Sequence, residues 1–277
     1  MDIKGIGELY ITGDLNSALD HAKAFVRDNP EDPNGRGLLM QFYLFAGEQE
    51  KALKQLAIIE QQNKDDLPSY LTLKVITEML KADMQRQAFF ANPTEVPAIY
   101  EEDKACLQPG FELLKGYKQQ KLLPELREKY LGSRPQPLFM CNTGSQEITG
   151  ELVEPDDLTA FACEVFMAKQ GYGWLPWDKI ESIEFYPYEK PIDLVYRKAT
   201  VHRINETNKS ADPLHVYVPA IYAGTPAHNT QASLARSTDW VSCDRTELVR
   251  GVGQKCILIG DEMIPVLQLL KLSKLSG

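Results

Sequence analysis

The sequence predicts an α+β protein, with N-terminal helical-hairpin repeats followed by a mostly β C-terminal domain. Two observations predict the helical part: a short glycine-containing phrase occurs twice, 34 residues apart, and apolar residues recur at helical spacing after each copy. A third predicts the β part, because short runs rich in β-branched and aromatic residues alternate with turn residues beyond residue 131. The chain therefore changes secondary structure near its middle.

The repeated phrase reads GDLNSAL from Gly13 and GEQEKAL from Gly47. A period of 34 residues is typical of tetratricopeptide-type helical hairpins. In such a hairpin the glycine ends the first helix in a left-handed turn, which costs little because glycine has no Cβ atom. A small residue five positions later, Ala18 or Ala52, allows the paired helices to approach closely. The phrase predicts two helical hairpins, with an ordinary helical bundle as the alternative.

The second helix of each hairpin carries one apolar face. Its members are Ala18, Ala22, Phe25 and Val26 in the first hairpin, and Leu53, Leu56 and Ile59 in the second. Residues 67–90 are predicted to form a long third helix. Helical spacing continues to about Tyr130, with predicted interruptions at Pro93, Pro97 and the pair Pro109 and Gly110.

Residues 131–137 are predicted to form a linker because they contain a glycine and two prolines. Strands are predicted at 137–142, 179–186, 194–204, 215–222, 239–243 and 254–259. One helix is predicted at 156–170, where Pro155 and the acidic Asp156 and Asp157 resemble a helix start. We therefore predict a helical repeat domain at 1–130 and a β-rich domain at 138–277, each with its own hydrophobic core.

Composition is that of a globular protein, with 277 residues of which 43% are hydrophobic and 25% charged. The formal net charge of −9 argues against sequence-independent nucleic-acid binding, which needs clustered lysines and arginines. The N-terminus lacks the pattern of a signal peptide, and no apolar run approaches the ~20 residues that span a bilayer. We therefore expect a cytoplasmic protein that binds neither nucleic acid nor membrane.

No motif predicts a catalytic residue, a metal site or a cofactor. The histidines His21, His202, His215 and His228 form no metal-ligand spacing with one another or with the five separated cysteines. Ser145 lies outside a nucleophile-elbow motif. Acidic residues cluster at 101–103 and 154–157, but both clusters lie at predicted helix starts, where negative charge complements the helix dipole. The sequence therefore favours a protein that is not an enzyme.

Six blocks of the second half resemble the ImpE family, also called TagJ or SciE, in order and spacing. They are YGWLPWDKIESI at 172–183, DLVYRKA at 193–199, VPAIYAGT at 218–225, RSTDW at 236–240, GVGQK at 251–255 and IPVL at 264–267. The GDLxxAL phrase and its second copy extend the resemblance over essentially the whole chain. Two positions depart from the family pattern, with Tyr196 in place of tryptophan and Lys255 in place of arginine.

The resemblance implies a non-enzymatic accessory protein of the bacterial type VI secretion system. Family members look like adaptors for the contractile sheath that bind an N-terminal segment of its small subunit, TssB or VipA. The resemblance also implies that such adaptors influence sheath disassembly by the ClpV ATPase. The family offers no catalytic residues to transfer.

Helical-hairpin repeats expose a concave face that can hold an extended or helical peptide. The repeat positions that usually line this groove are Tyr10, Ile11, Gly37, Gln41, Leu44, Phe45, Leu71, Val75 and Glu78. Trp174 and Trp177 are further candidates for partner binding, since aromatic anchors are common at interfaces. For each of these residues, packing in the core is the competing interpretation.

Two other classes of function stay open at this point. A small-molecule hydrolase would require His202, Ser145 and an acidic residue to meet in space. An oligomeric scaffold subunit would require a self-complementary apolar patch, for example around Trp174 and Trp177.

Overall fold

A computed structural model describes residues 1–204, 213–225 and 229–275. These residues form eight α-helices: α1 (Ile3–Thr12), α2 (Leu15–Asp28), α3 (Pro33–Phe45), α4 (Gln49–Gln62), α5 (Leu67–Ala91), α6 (Lys104–Gln119), α7 (Pro124–Gly132) and α8 (Thr230–Ser233). They also form twelve strands: β1 (Leu138–Asn142), β2 (Glu147–Val153), β3 (Ala162–Met167), β4 (Gly171–Pro176), β5 (Ile180–Phe185), β6 (Tyr196–Arg203), β7 (Leu214–Pro219), β8 (Thr238–Ser242), β9 (Val249–Gly253), β10 (Cys256–Ile259), β11 (Glu262–Pro265) and β12 (Lys271–Lys274). Helices followed by strands confirm the predicted α+β class.

The repeated phrase forms the turns of two helical hairpins, α1 with α2 and α3 with α4. Gly13 and Gly47 adopt left-handed backbone angles, with φ of 91° and 70°. The Asp14 carboxylate accepts a hydrogen bond from the Ser17 backbone N–H at 3.1 Å and so caps α2. Ala52 is fully buried between the helices, as is its counterpart in the first hairpin. The predicted third helix is α5, which continues the repeat stack as one element of 25 residues.

Ten strands form one sheet in the order β11-β10-β2-β1-β12-β5-β6-β7-β3-β4, and β8 pairs with β9 in a separate hairpin. Every pairing between these described strands is antiparallel. The six strands predicted from the sequence are β1, β5, β6, β7, β8 and β10. Of the missed strands, β3 and β4 are almost wholly buried, β9 contains two glycines, and β11 and β12 have four residues each. Strand β2 contains two glutamates and a glycine, which have low strand propensity.

The helix predicted at 156–170 is wrong, because the whole of β3 lies in this range. Five of the six residues of β3 are buried, so the strand lacks the alternation of buried and exposed residues that marks a half-exposed strand. Asp156 does not start a helix. Its carboxylate accepts hydrogen bonds from the backbone N–H groups of Leu158 at 2.8 Å and Gly251 at 3.0 Å, and it thereby ties this turn to β9.

The predicted interruption at Pro109 and Gly110 is also wrong, since both residues lie inside α6. A Cβ atom at Gly110 would lie 3.1 Å from the side chain of Phe161, closer than most van der Waals contacts. The glycine therefore serves helix packing against the β region, although its local preference is to break a helix.

Two clusters of buried side chains form the interior. The first joins the helices to one face of β3, β4 and β6, and includes Leu56, Leu80, Leu114, Phe166 and Trp174. The second contains side chains from strands near both ends of the large sheet, including Val165 of β3 and Ile259 of β10. Because these side chains pack in one cluster, the sheet must be strongly curved. The prediction of separate hydrophobic cores is therefore wrong. The boundaries 1–130 and 138–277 divide the chain by secondary structure, and we propose them as the limits of two structural units.

Candidate functional site

A cleft lies between the helical repeats and the β region. Its first part, the Asp83 pocket, has a volume of about 350 Å³ and is lined by the end of α3, by α5, by β6 and by residues 219–225. Its second part, the Val75 pocket, has a volume of about 370 Å³ and lies between α5 and the segment that connects β5 to β6. Tyr196 lines both pockets, so they adjoin at this ring.

The Asp83 pocket has a buried carboxylate in its wall. Asp83 is 4% exposed, and its Oδ2 atom accepts hydrogen bonds from the Tyr196 hydroxyl at 2.9 Å and the Gln49 side-chain amide at 3.0 Å. The Gln87 amide donates to the other carboxylate oxygen at 3.4 Å. All three donors are neutral. No lysine, arginine or histidine nitrogen among residues 1–204, 213–225 and 229–275 lies within 4.0 Å of this carboxylate.

Behind the pocket, a buried ion-pair network fastens α5 to the sheet. Arg86 of α5 donates two hydrogen bonds to the Glu164 carboxylate of β3, at 2.7 and 2.8 Å, and a third to the Ile221 carbonyl at 3.2 Å. The Lys255 ammonium lies 2.7 Å from Glu164 and 3.3 Å from Glu154. The four charged side chains are at most 4% exposed. Two cations and two carboxylates thus meet where water is excluded.

Two aromatic side chains extend this network into the core. The Trp174 indole N–H donates to the Tyr172 hydroxyl at 2.6 Å, and that hydroxyl donates to Glu164 at 2.8 Å. The ring of Phe89 in α5 packs edge-on against Trp174, with centroids 5.5 Å apart. Helix α5 is therefore held to β3 and β4 by apolar contact and by a continuous set of hydrogen bonds.

Burial governs the protonation of the carboxyl groups in this network. It raises the pKa of Glu154 to about 7, although the charge of Lys255 acts in the opposite direction. It also raises the pKa of Asp156 to about 6. For Glu164, burial alone would raise the pKa, but the charges of Arg86 and Lys255 outweigh burial and hold this pKa well below its usual range.

Glu154→Gln is expected to change how stability depends on pH. Because the folded-state pKa of about 7 exceeds the ordinary value of 4.5, the folded chain binds this proton more tightly than the unfolded chain. The contribution of Glu154 is most favourable below about pH 4.5 and is lost as the pH rises through about 7. Relative to the variant, the wild type should lose roughly 1 to 3 kcal/mol of unfolding free energy across this window.

Urea unfolding at stepped pH measures this difference. Glu151→Gln, at an exposed position of the same chain segment, provides the control and should follow the wild-type pH dependence. Parallel curves for the wild type and Glu154→Gln would show that this carboxyl group does not titrate differently in the folded chain.

The structure places three of the predicted groove residues in the cleft. Leu44 and Phe45 at the end of α3 line the Asp83 pocket, and Val75 of α5 lines the Val75 pocket. Phe45 is 2% exposed and so belongs to the core as well. Val75 is 37% exposed and offers the accessible apolar surface.

The other predicted groove residues have different surroundings. Tyr10 packs against Phe45 with ring centroids 5.4 Å apart, and Arg236 donates to the backbone carbonyls of Tyr10 and Ile11. The side chains of Ile11 and Leu71 are exposed, and among the described residues the buried amide oxygen of Gln41 has no hydrogen-bond donor. Tyr10 therefore serves the contact between α1 and the β region.

Trp174 and Trp177 are 0% and 4% exposed. Trp174 belongs to the core under α5, and Trp177 packs inside the curved sheet. Neither ring presents a surface to a partner in this structure, nor an apolar patch for self-association.

The residues of the hydrolase alternative lie on different parts of the sheet. The Ser145 hydroxyl lies 3.0 Å from that of Thr143 in the turn after β1, and two strands separate β1 from β6, which carries His202. His215 lies beside Thr200 at 3.2 Å, and His228 lies outside the described residues. No group of three or more potential metal ligands occurs in the part of the chain that the structure describes.

Sequence reasoning missed the polar residues of the cleft: Gln49, Asp83, Arg86, Glu154, Glu164 and Tyr222. On α5 alone, an aspartate and an arginine three positions apart look like an exposed, mutually paired helix face. For Lys255 and Tyr196 the sequence did contain an indication of a special role, because both residues depart from the family pattern. The chain's tyrosine keeps a hydrogen-bond donor at its position, and its lysine keeps a cation.

The fold and the cleft define a helical-repeat protein of the protein-interaction class. A family model for tetratricopeptide repeats matches residues 9–75, and the family model described as ImpE protein matches residues 148–273. The ImpE match covers the β region and the tetratricopeptide match covers the first helices, and together they support a type VI secretion accessory role that acts through protein–protein contacts.

Comparison with solved structures shows the same fold in protein VPA1032 from Vibrio parahaemolyticus, known from an X-ray crystal structure. The TM-score is 0.84 at 20% sequence identity, and the match covers 99% of this chain and 98% of that chain. A search of curated proteins found no match. Among the described residues, no helix is both long and apolar enough to cross a membrane.

Proposed function

We propose that this protein is a non-enzymatic adaptor whose cleft binds an N-terminal segment of the type VI sheath small subunit, TssB or VipA. The observation that carries the proposal is the concave surface between the repeat helices and the β region, where two pockets share Tyr196 in their walls. Such a groove suits an amphipathic helix or an extended peptide. By holding this segment in the cytoplasm, the protein would influence sheath assembly or its disassembly by ClpV, a further proposed partner.

The apolar part of the Val75 pocket, whose rim also carries Lys190, Asp193 and Lys198, supports peptide capture. Its walls include Ile76, Met79, Ile192 and Tyr217 beside Val75. Leu71 is 55% exposed and lies one helical turn before Val75 on the same face of α5. Burial of such surface by a partner supplies most of the free energy in helix-in-groove recognition.

The charge of the chain indicates what kind of segment fits. A formal net charge of −9 repels an acidic peptide and attracts a basic one. We therefore expect a segment that presents apolar side chains together with positive charge.

Val75→Asp is expected to weaken binding of a synthetic N-terminal peptide of the sheath small subunit by about thirtyfold, or about 2 kcal/mol. The physical reason is that a carboxylate in the apolar wall must lose water when the peptide covers it. Titration calorimetry with the full chain measures the affinity, and circular dichroism verifies folding.

Ile58→Asp is a matched control. Ile58 of α4 has the same exposed fraction as Val75, 37%, and it does not line the Val75 pocket. The control should bind like the wild type. Unchanged affinity of Val75→Asp, or equal losses in both variants, would show that the partner binds elsewhere.

A further inference from the structure

The carboxylate of Asp83 differs from the other buried carboxylates of the cleft. Glu164 and Glu154 are matched by the cations of Arg86 and Lys255. Asp83 has the hydrogen bonds of Tyr196 and the two glutamines but no cation within ion-pair distance among the described residues. A buried carboxylate without an ion pair is costly, so a cation brought to this pocket gains more than it would at an exposed carboxylate.

The end of α3 adds negative potential to the same pocket. Residues 44–47 line the pocket, and α3 is a 13-residue helix that ends at Phe45. The C-terminal end of a helix carries the negative end of its dipole, and cations are stabilised there. This contribution is independent of the Asp83 side chain.

The remaining walls suit the aliphatic stem of a basic side chain. Tyr196, Tyr222 and Phe45 supply aromatic rings, and Leu44 and Ile221 supply aliphatic surface. Aromatic faces attract ammonium and guanidinium groups, and the stems of lysine and arginine pack on apolar surface. Arg86 also lines the pocket and its charge acts on Asp83 from beyond ion-pair distance, but its guanidinium donates to Glu164.

We propose that the Asp83 pocket binds one lysine or arginine side chain of the partner segment, whose apolar residues occupy the Val75 pocket. This assignment of a basic anchor rests on the proposed function for the identity of the partner. The chemistry of the pocket is tested separately from the partner.

The first test uses small probes that carry no sheath sequence. N-acetyl-lysine amide and N-acetyl-arginine amide are titrated into the full chain, and N-acetyl-norleucine amide and N-acetyl-glutamate amide serve as neutral and acidic controls. Methyl NMR signals of Leu44 and Ile221, assigned by substitution, report occupancy. We expect the basic probes to bind at least about tenfold more tightly than the norleucine probe. Equal shifts with all four probes would overturn the proposal, and this comparison needs no variant.

The second test compares Asp83→Asn with Glu78→Gln. Both substitutions remove one negative charge from α5, but Glu78, although predicted to line the groove, lines neither pocket and pairs with Lys81 on the surface. The asparagine side chain keeps an oxygen that can accept from Tyr196, so the hydrogen bonds of the pocket are partly retained. Asp83→Asn should lose the preference for basic probes, whereas Glu78→Gln should keep it. Preference retained in Asp83→Asn would exclude Asp83 as the anchor site.

The sheath peptide then separates the two proposals. Each lysine or arginine of the peptide is replaced in turn by norleucine, and affinities are measured with the wild type and with Asp83→Asn. One replacement should cost about tenfold with the wild type and almost nothing with the variant. If neither the norleucine replacements nor Asp83→Asn changes the affinity, the proposal of a basic anchor is wrong, whereas the proposed adaptor function is still supported. Selective binding of the basic probes without any peptide binding supports the pocket and contradicts the sheath partner.

Discussion

Arg86→Met is expected to lower the free energy of unfolding by about 3 to 5 kcal/mol. The substitution removes a guanidinium that donates twice to Glu164, and it leaves that carboxylate buried with one cation, Lys255. The loss exceeds the net contribution of the pair, because the remaining charge stays without water. Urea unfolding followed by circular dichroism measures the change.

Two further variants show whether the buried charge is the cause. Arg27→Met breaks an exposed pair with Asp28 and should change the free energy of unfolding far less. Arg86→Met combined with Glu164→Gln should recover part of the loss, because the glutamine side chain carries no charge yet still accepts a hydrogen bond from Tyr172. If Arg86→Met costs no more than Arg27→Met, the ion-pair network does not hold α5 on the sheet.

Trp174→Ala is expected to lower the free energy of unfolding by about 3 to 5 kcal/mol. The ring is fully buried beneath α5, and its removal leaves a cavity beside Phe89 and deprives the Tyr172 hydroxyl oxygen of its indole donor. Trp240→Ala offers a control, because Trp240 of β8 is partly exposed and should lose less. Equal losses would mean that the chain relaxes to fill the space under α5.

Trp174→Phe separates packing from partner binding. This variant keeps a ring in the core but lacks the indole N–H, so it should cost about 1 to 2 kcal/mol of stability. Peptide affinity measured on the folded variant should equal that of the wild type, because Trp174 lies in the core and not at a surface. A tenfold loss of affinity would return Trp174 to the partner-binding residues predicted from the sequence.

The helical part was predictable because its determinants are local. A glycine in the left-handed region and a small residue five positions later specify a hairpin wherever they occur, as Gly13 and Gly47 show. The six predicted strands have a similar basis, since β-branched and aromatic residues between turns favour extended backbone.

The errors occur where a distant part of the chain satisfies a local group. Asp156 resembles a helix start, but its carboxylate accepts from Gly251, 95 positions away. Gly110 resembles a helix break, but it faces Phe161 across the boundary between helices and strands. Local preference loses in both cases because burial and hydrogen bonding across the fold contribute more free energy than a single residue's propensity.

The sequence by itself determined that helices precede a mostly β region, the repeat turns and the ImpE resemblance, because each depends on residues near one another in the chain. The tertiary structure alone decided the cleft. Arg86 and Glu164 are 78 positions apart, and Tyr196 reaches Asp83 across 113 positions. Which buried charges form ion pairs, and which carboxylate has only neutral hydrogen-bond donors, depends on elements that meet after folding and exclude water.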